Sequence, residues 1–125
     1  MSIGLAQHSD RSIVKAITHT TIKEIYPHYY PDGAVAFFLD HHNDKSIAND
    51  ISNNCVFLCR DPEHHIVGTV TIKKNEILRL FVLPQYQGKG YGRELLEFAE
   101  TEIAKGFDEI IIILKGAIKK LTIIR

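Results

Sequence analysis

LFVLPQYQGKGYGRELL, residues 80–96, is the stretch of this chain that says most about its fold. Gly88, Gly90 and Gly92 alternate just before an apolar helical pattern, so backbone N–H groups at the start of a helix stay open to a ligand. The positive end of the helix dipole favours an anion there, and Lys89 and Arg93 add positive charge. The local chemistry therefore predicts a phosphate-binding turn.

Two other phosphate loops fit this turn poorly. The dinucleotide fingerprint G-x-G-x-x-G follows directly on its strand, whereas Pro84, Gln85 and Tyr86 intervene here. A nucleotide P-loop needs Ser or Thr after its lysine, but Lys89 is followed by Gly90. On local chemistry alone, a tight strand-to-helix connection without a ligand stays open as the alternative.

Hydrophobic periodicity on both sides of the turn predicts a mixed α/β domain. A third strand, Glu76–Val82, leads into the turn, and the helix Tyr91–Lys105 leads out of it. The continuously apolar strand Glu109–Leu114 then completes a β-α-β crossover. The other predicted elements begin with a strand at Ile3–Ala6 and a helix that follows the N-cap candidates Ser9 and Asp10, carries apolar residues from Ile13 to Ile25 and ends near Pro27. Helices at Ala34–His42 and Ser46–Ile51 and a hairpin of Cys55–Cys59 with Ile66–Ile72 follow.

Composition limits the class of protein and its partners. The chain has 125 residues, 45% of them hydrophobic, which suits a single domain with a real core. Its 15 Lys and Arg balance its 15 Asp and Glu, so no global charge attracts nucleic acid or a membrane surface. We find no apolar run of membrane-spanning length and no signal-peptide pattern. Cys55 and Cys59 share a strand face but lie too far apart to bridge, so we expect a reduced, cytoplasmic protein.

Residues 80–96 resemble the acyl-CoA-binding motif of the GNAT N-acetyltransferase superfamily nearly position for position. The order of the predicted elements from about Ile3 to Leu114 is also similar to the GNAT fold. The resemblance implies a single domain with a central mixed, mostly antiparallel sheet, flanking helices and acetyl-CoA as co-substrate. It also implies that the strands Glu76–Val82 and Glu109–Leu114 splay apart, so that the pantetheine arm enters between them.

The same resemblance assigns the residues that bind the cofactor. Backbone groups at the end of the third strand bond the pantetheine arm, and the amides of the turn, with an arginine, hold the pyrophosphate. The side chain of Gln87 can donate a further hydrogen bond. The assigned residues are Leu80, Phe81, Val82, Gln87, Gly88, Lys89, Gly90, Tyr91, Gly92 and Arg93.

Acetyl transfer to an amine needs a base, an oxyanion donor and an acid. The resemblance places the base at Glu76, whose distance from the glycine turn matches that of the glutamate base in histone-type members; a plain surface carboxylate is the alternative. The backbone N–H near Val82 is expected to polarise the thioester carbonyl. Family members often use a tyrosine in a helix after the last predicted strand as the acid. Thr122, a far weaker acid, stands at about that position, so the role is unfilled or is met by a residue elsewhere.

Three tyrosines lie in the loop after the first long helix, where the family commonly lines its acceptor site. Tyr26, Tyr29 and Tyr30 are therefore expected to receive the amine, with plain packing of amphipathic rings as the alternative.

Two histidine pairs and one lysine pair have simpler interpretations. The pairs at residues 41–42 and 64–65 lack spaced partners, which predicts solvated surface positions and no metal site. The lysines at residues 119–120 are interpreted as a charged helix face.

A GNAT domain normally continues past the last predicted strand with a helix and a β-hairpin, whereas only Lys115–Arg125 follow here. We therefore expect the C-terminal part to be incomplete relative to the family. Residues 121–124 are apolar and are expected to pair with a sheet edge, either within this chain or in a homodimer. The favoured function is an N-acetyltransferase that acts on an amine of a small molecule or on a protein amino group. The alternative is an acyl-CoA-binding module without turnover.

Overall fold

A computed structural model describes residues 2–114 and 117–123 of the chain. They form one six-stranded sheet in which the strands follow their sequence order, and every neighbouring pair is antiparallel except β4 with β5. The strands are β1 (Ser2–Leu5), β2 (Val56–Arg60), β3 (Ile66–Lys73), β4 (Glu76–Val82), β5 (Glu109–Leu114) and β6 (Ala117–Thr122). The helices are α1 (Arg11–Ile25), α2 (Asp32–His41), α3 (Asp44–Ser52) and α4 (Tyr91–Ala104), with short 3₁₀ turns at His8–Asp10, Tyr26–His28 and Pro84–Tyr86.

The sheet is covered on both faces because its strands alternate apolar side chains. On β2, Val56 and Leu58 pack in one cluster with residues of α1 and α3. The neighbouring Phe57 and Cys59 point to the opposite face, where they pack with residues of α4 such as Leu95. A third cluster joins α1 to the end of β4. The predicted mixed, mostly antiparallel sheet with flanking helices is confirmed, and the predicted elements shift by one or two residues at their ends.

The parallel pair β4 and β5 separates soon after it forms. Only Glu76 with Ile111 and Ile77 with Ile112 are paired between these strands. The rest of β4, toward Val82, has no strand partner on that side within the described residues. The splay that the family resemblance implied is therefore confirmed.

A β-bulge lies in β4 beside this gap. Thr69 pairs with Phe81 and Thr71 with Leu78, so β4 carries one residue more than β3 over the same interval. Arg79, inside the bulge, has a φ of 46°, in the left-handed region that non-glycine residues rarely adopt. The bulge changes which side chains of β4 face the gap, and the charged side chain of Arg79 is buried as a result.

The C-terminal segment is a strand of this chain's own sheet. β6 runs antiparallel to β5 from Leu114 with Ala117 to Glu109 with Thr122. The expectation of a charged helix face at residues 119–120 is wrong, because this segment completes a hairpin with β5. Of the two pairings predicted for residues 121–124, the described part pairs within the chain; residue 124 lies outside the described residues.

Candidate active site

A cavity of about 570 Å³ opens where β4 and β5 separate. One part of its wall comes from the end of β4 and the glycine turn, and another from α1, the turn that follows it and α2. The lining residues are Thr21, Ile25, Tyr26, Phe37, Phe38, His41, His42, Lys73, Leu78, Arg79, Leu80, Phe81, Val82, Gln87, Gly88, Gly92 and Ile113. The split strands, the turn and the first two helices therefore enclose a single space.

The glycine turn presents open backbone donors at the start of α4. Gly88 and Gly90 have φ values of 79° and 91°, and a Cβ at either would meet nothing within 4 Å. Within the described residues, no backbone carbonyl accepts from the amides of residues 88–93, and the first bond of the helix runs from Glu94 N to Gly90 O. The turn therefore offers a run of free N–H groups at the positive end of a helix dipole, which is an anion site.

A hydrogen bond from the side chain of Gln87 links this turn to the end of β4. Its Nε2 donates to Val82 O over 2.9 Å, so it is engaged within the protein. Leu83 N donates to Val67 O on the β3 side, and N–H directions alternate along a strand. The N–H of Val82 is thus directed to the other side, toward the gap between β4 and β5.

The predicted cofactor residues fall into two groups. Leu80, Phe81, Val82, Gln87, Gly88 and Gly92 line the cavity. Gly90 and Arg93 line a shallow groove on the outer side of α4, and Lys89 Nζ lies 5.6 Å from the centre of the Tyr86 ring. Tyr91 is half-buried and packs edge-on against Tyr86, so it anchors the start of the helix. Of the predicted residues, six thus line the cavity, and Lys89, Gly90, Tyr91 and Arg93 do not.

A charge cluster that is buried at Asp50 and Arg79 lies at the wall beside the bulge. The carboxylate of Asp50, on α3, lies 2.8 Å from Lys73 Nζ and 2.6 Å from Arg79 Nη1. Oδ2 of Asp50 makes no hydrogen bond of good geometry within the described residues, so its contact with Arg79 is chiefly electrostatic. Arg79 Nε donates to His42 Nδ1 over 2.8 Å, and its Nη1 reaches Thr71 Oγ1 at 3.5 Å. The bulge in β4 is what brings this guanidinium into contact with α3 and the end of α2.

His42 is held neutral in this cluster. Burial lowers its pKa from 6.5 to about 4, with the nearby Arg79 guanidinium as the next cause. Because Nδ1 accepts from Arg79, the proton of the neutral ring is on Nε2. The backbone carbonyl of His42 is also engaged, by His19 Nε2 at 2.7 Å. The prediction of a solvated surface is wrong for His42, because the cluster encloses it, but the pair at residues 64–65 is exposed.

Only one of the three predicted acceptor-site tyrosines reaches the cavity. Tyr26 is 4% exposed and lines it, with its ring centre 5.0 Å from that of Phe38 and 6.3 Å from that of Phe81. Tyr30 is half-buried behind it and packs against both Tyr26 and Phe38. Tyr29 is 62% exposed and does not line the cavity.

The residues predicted for proton transfer lie away from the cavity wall. Glu76 begins β4, at the far end from Val82, and is not among the lining residues. It shares a strand face with Leu78, which does line the cavity, and it pairs across the sheet with Lys73. Thr122 is exposed in β6 and pairs with Glu109, at the start of β5. That position is at the opposite end of the sheet from the glycine turn.

Several residues in or directly behind the cavity wall were missed by sequence reasoning. Arg79 could have been suspected, because it is a lone charge in an otherwise apolar strand segment. His42 and Asp50 gave no such signal, since their importance comes from contacts across the fold. Phe37 and Phe38 carry only the apolar pattern of a helix.

Two further findings concern metals and membranes. Across residues 2–114 and 117–123, no three His, Cys, Asp or Glu side chains converge as a metal-binding group. None of the helices in the described part of the chain is long and apolar enough to cross a bilayer.

Comparison with known proteins places this geometry in a family. The sequence model of the acetyltransferase (GNAT) domain matches residues 25–116, most of the chain. No curated protein sequence matches at a significant level.

Solved structures with a similar fold include two N-acetyltransferases and an N-acetylglutamate synthase. A GCN5-related N-acetyltransferase from Rhodopseudomonas palustris superposes with a TM-score of 0.81 at 18% identity, covering 90% of this chain and 72% of that one. The PaiA N-acetyltransferase of Thermoplasma acidophilum, in complex with coenzyme A, gives 0.71 at 23%, covering 91% and 80%. The N-acetylglutamate synthase of Neisseria gonorrhoeae, with coenzyme A and N-acetyl-glutamate, gives 0.68 at 19%, covering 89% of this chain and 24% of that one. Fold and sequence together show that this chain belongs to the GNAT acetyltransferase family.

Proposed function

We propose that this protein transfers an acetyl group from acetyl-CoA to an amine of a small molecule or protein. The observation that carries the proposal is the run of open amides at residues 88–93, next to the gap between β4 and β5 and joined to one cavity. The family match and the coenzyme A in solved structures of similar fold support it.

Each part of the co-substrate has matching groups among the residues of the turn and of β4. The amides of the turn, with Lys89 and Arg93 nearby, suit the pyrophosphate. The pantetheine arm fits between β4 and β5, against Leu80, Phe81 and Val82. The N–H of Val82, directed into the gap, is suited to donate a hydrogen bond to the thioester oxygen as negative charge develops on it.

The reaction itself exchanges one bond for another at the acetyl carbon. The amine nitrogen forms the new C–N bond, the C–S bond breaks, and the thiolate leaves with its electron pair. The amine loses one proton and the thiolate gains one, so the products are an amide and free coenzyme A. We propose Glu76 as the group that takes the amine's proton. Because Glu76 lies beside the cavity wall and does not line it, the proton reaches the carboxylate through water.

The charge cluster assists this step. Burial in the cavity and the charges of Arg79 and Lys73 disfavour an ammonium and so lower the amine's own pKa; burial, followed by Arg79, also lowers the pKa of His42. The amine therefore loses its ammonium proton more easily inside the cavity, which reduces the work left for a protein base. We place this activity in the cytoplasm, since Cys59 is a buried free thiol and Cys55 is also unpaired. Assembly as a homodimer also stays a prediction.

An acyl-CoA-binding module without turnover is the second candidate. One observation favours it: neither Glu76 nor Thr122, the positions predicted for base and acid, lines the cavity. Such a module keeps the glycine turn and the gap, and it binds acyl-CoA without releasing the thiol.

Binding is tested first, by calorimetric titration with coenzyme A. Gly92→Asp places a negative charge at the start of α4, where the helix tolerates it but a pyrophosphate does not. A Cβ at Gly92 meets only Val82 Cγ2 at 3.8 Å, so the fold is preserved. Gly92→Asn, which has nearly the same shape without the charge, is the control. Gly90→Val blocks the open space at the turn but also strains a φ of 91°, so its folding is checked by circular dichroism.

The expected result is loss of measurable binding in Gly92→Asp and a smaller loss in Gly92→Asn. Equal affinity of wild type and Gly92→Asp would reject the turn as the pyrophosphate site. Turnover is then measured as release of coenzyme A thiol from acetyl-CoA with a set of amines. Tight binding without thiol release from any amine favours the module over the enzyme.

A further inference from the structure

The wall of the cavity carries positive charge and no carboxylate. Lys73 and Arg79 line it, whereas no Asp or Glu in the described part of the chain does. Asp50 lies behind the wall and pairs with both cations, so it neutralises only one of the two charges. The remaining charge is shared by Arg79, which is 7% exposed, and Lys73, whose side chain is 45% exposed, so solvent screens it only in part. An acceptor with a second ammonium group is disfavoured there, and one with an anionic group is favoured.

Two polar groups at the wall differ in their access to the cavity. Nη2 of Arg79, unlike Nε and Nη1, makes no hydrogen bond with any residue that the structure describes. It is not among the buried atoms that lack a partner, so it stays open to a molecule in the cavity that Arg79 lines. Oγ1 of Thr21 also has no partner across residues 2–114 and 117–123, but this atom is buried. Nη2 of Arg79 is therefore the group suited to bind a polar part of the ligand.

The side of the cavity formed by α2 is apolar. Phe38 packs edge-on against Tyr26, which fixes the orientation of both rings. Phe37 lines the cavity although it is 61% exposed, and its ring stacks on that of His41. Exposed aromatic surface of this kind suits an apolar or aromatic group on the ligand.

From these features we infer that the acceptor is a small molecule whose amine lies beside a carboxylate and an apolar group, the chemistry of a free hydrophobic amino acid. The carboxylate binds Arg79 Nη2 and Lys73. The apolar group packs on Phe37 and Phe38. This inference rests on the proposed acetyl transfer and names the substrate class for the same cavity.

Binding of the acetylated product tests the carboxylate directly. N-acetylphenylalanine and N-acetylphenylalaninamide share their apolar group and differ in charge, as do the corresponding leucine compounds. Each is titrated into the wild-type protein with saturating coenzyme A. We expect the acids to bind more tightly than the amides by about tenfold or more, as a charge-assisted contact in a poorly screened site predicts.

Variants assign that preference to the wall. Lys73→Met removes one cation, and Arg79→Lys keeps the charge that pairs with Asp50 but loses Nη2; both are expected to reduce the preference for the acids. Lys74→Met, the next residue along and outside the cavity wall, is the control and is expected to keep it.

The outcomes separate this inference from the proposed function. Equal affinity of acid and amide, or binding of none of the four compounds, overturns the inference. Thiol release gives the second readout: if phenethylamine is acetylated as fast as phenylalanine, acetyl transfer stands and the substrate class is wrong. If neither amine releases thiol while the acids are still preferred, the carboxylate site stands and the proposed turnover fails.

Discussion

The charge cluster behind the cavity makes a sharp prediction about stability. Asp50→Asn keeps the shape of the side chain but removes the carboxylate that Lys73 and Arg79 share. Arg79 is 7% exposed and cannot turn to solvent without opening the wall. Lys73, whose side chain is 45% exposed, can regain water when the carboxylate is lost. The cost of the substitution is therefore set mainly by the guanidinium left without a counter-ion.

The same helix offers a matched control. Asp44, also on α3, pairs with Arg11 at 3.7 Å, and both of those side chains are about half exposed. An exposed pair contributes about 0–1 kcal/mol, and the position of Asp44 in the first turn adds about 0.3–1 kcal/mol through the helix dipole. Removing one partner of a buried pair costs about 3–5 kcal/mol. We therefore expect Asp50→Asn to lower the free energy of unfolding by about 2 kcal/mol more than Asp44→Asn does.

Urea unfolding followed by circular dichroism measures both variants under the same conditions. The linear extrapolation gives the free energy of unfolding, and an unchanged slope shows that the unfolded state is comparable. If Asp50→Asn proves no less stable than Asp44→Asn, the carboxylate is not the counter-ion of the buried guanidinium. Lys73 and Arg79 are then not held in the cavity wall by a shared ion pair with Asp50.

Three further predictions concern the glycine contacts, the pH dependence and the proposed base. A Cβ at Gly68 would lie 2.9 Å from Phe81 O, so Gly68→Ala is expected to cost about 1–3 kcal/mol in urea unfolding and to weaken coenzyme A binding by moving β4. Gly4→Ala, in β1 with nothing within 4 Å of the new Cβ, is the control, and equal stability of the two variants would contradict the close contact. Because the pKa of His42 is lowered from 6.5 to about 4 in the folded protein, the unfolded chain takes up this proton first as the pH falls. The folded state is thus expected to lose stability between about pH 6.5 and pH 4, and His42→Asn to show a shallower loss in unfolding free energies measured across that range. Glu76→Gln is expected to lower kcat by about tenfold or more with little change in the Kd for coenzyme A, and an unchanged kcat would leave Glu76 a surface carboxylate.

Local patterns predicted the elements of this fold well for a physical reason. Apolar periodicity, turn residues and the run at residues 110–114 depend on neighbours in sequence, so β4, α4 and β5 were predicted almost to the residue. The C-terminal strand was harder, because the assumption of a helix at residues 119–120 came from the family and not from the alternation of the segment itself. An apolar segment of that length is compatible with either state until its pairing partner is known.

The candidate site also has one part that local sequence predicted and one part that it did not. The glycine turn was readable from sequence because its chemistry is local: positive φ values, open amides and a helix start all lie within residues 88–93. The charge cluster beside the cavity was not, because Asp50, Arg79 and His42 come from three elements and meet only in the folded chain. The tyrosines show the limit of assignment by loop position, since only Tyr26 faces the cavity.

The sequence by itself determined the family, the order of strands and helices, and the turn that suits a pyrophosphate, since each depends on residues close together in the chain. Only the tertiary structure decided where β4 and β5 separate, which charges line the gap and which rings face it. The bulge at Arg79 illustrates the difference. One extra residue in β4 turns the side chain of Arg79 inward. Its partner Asp50 lies on a helix that is distant in sequence, so no local sequence pattern predicts the pair.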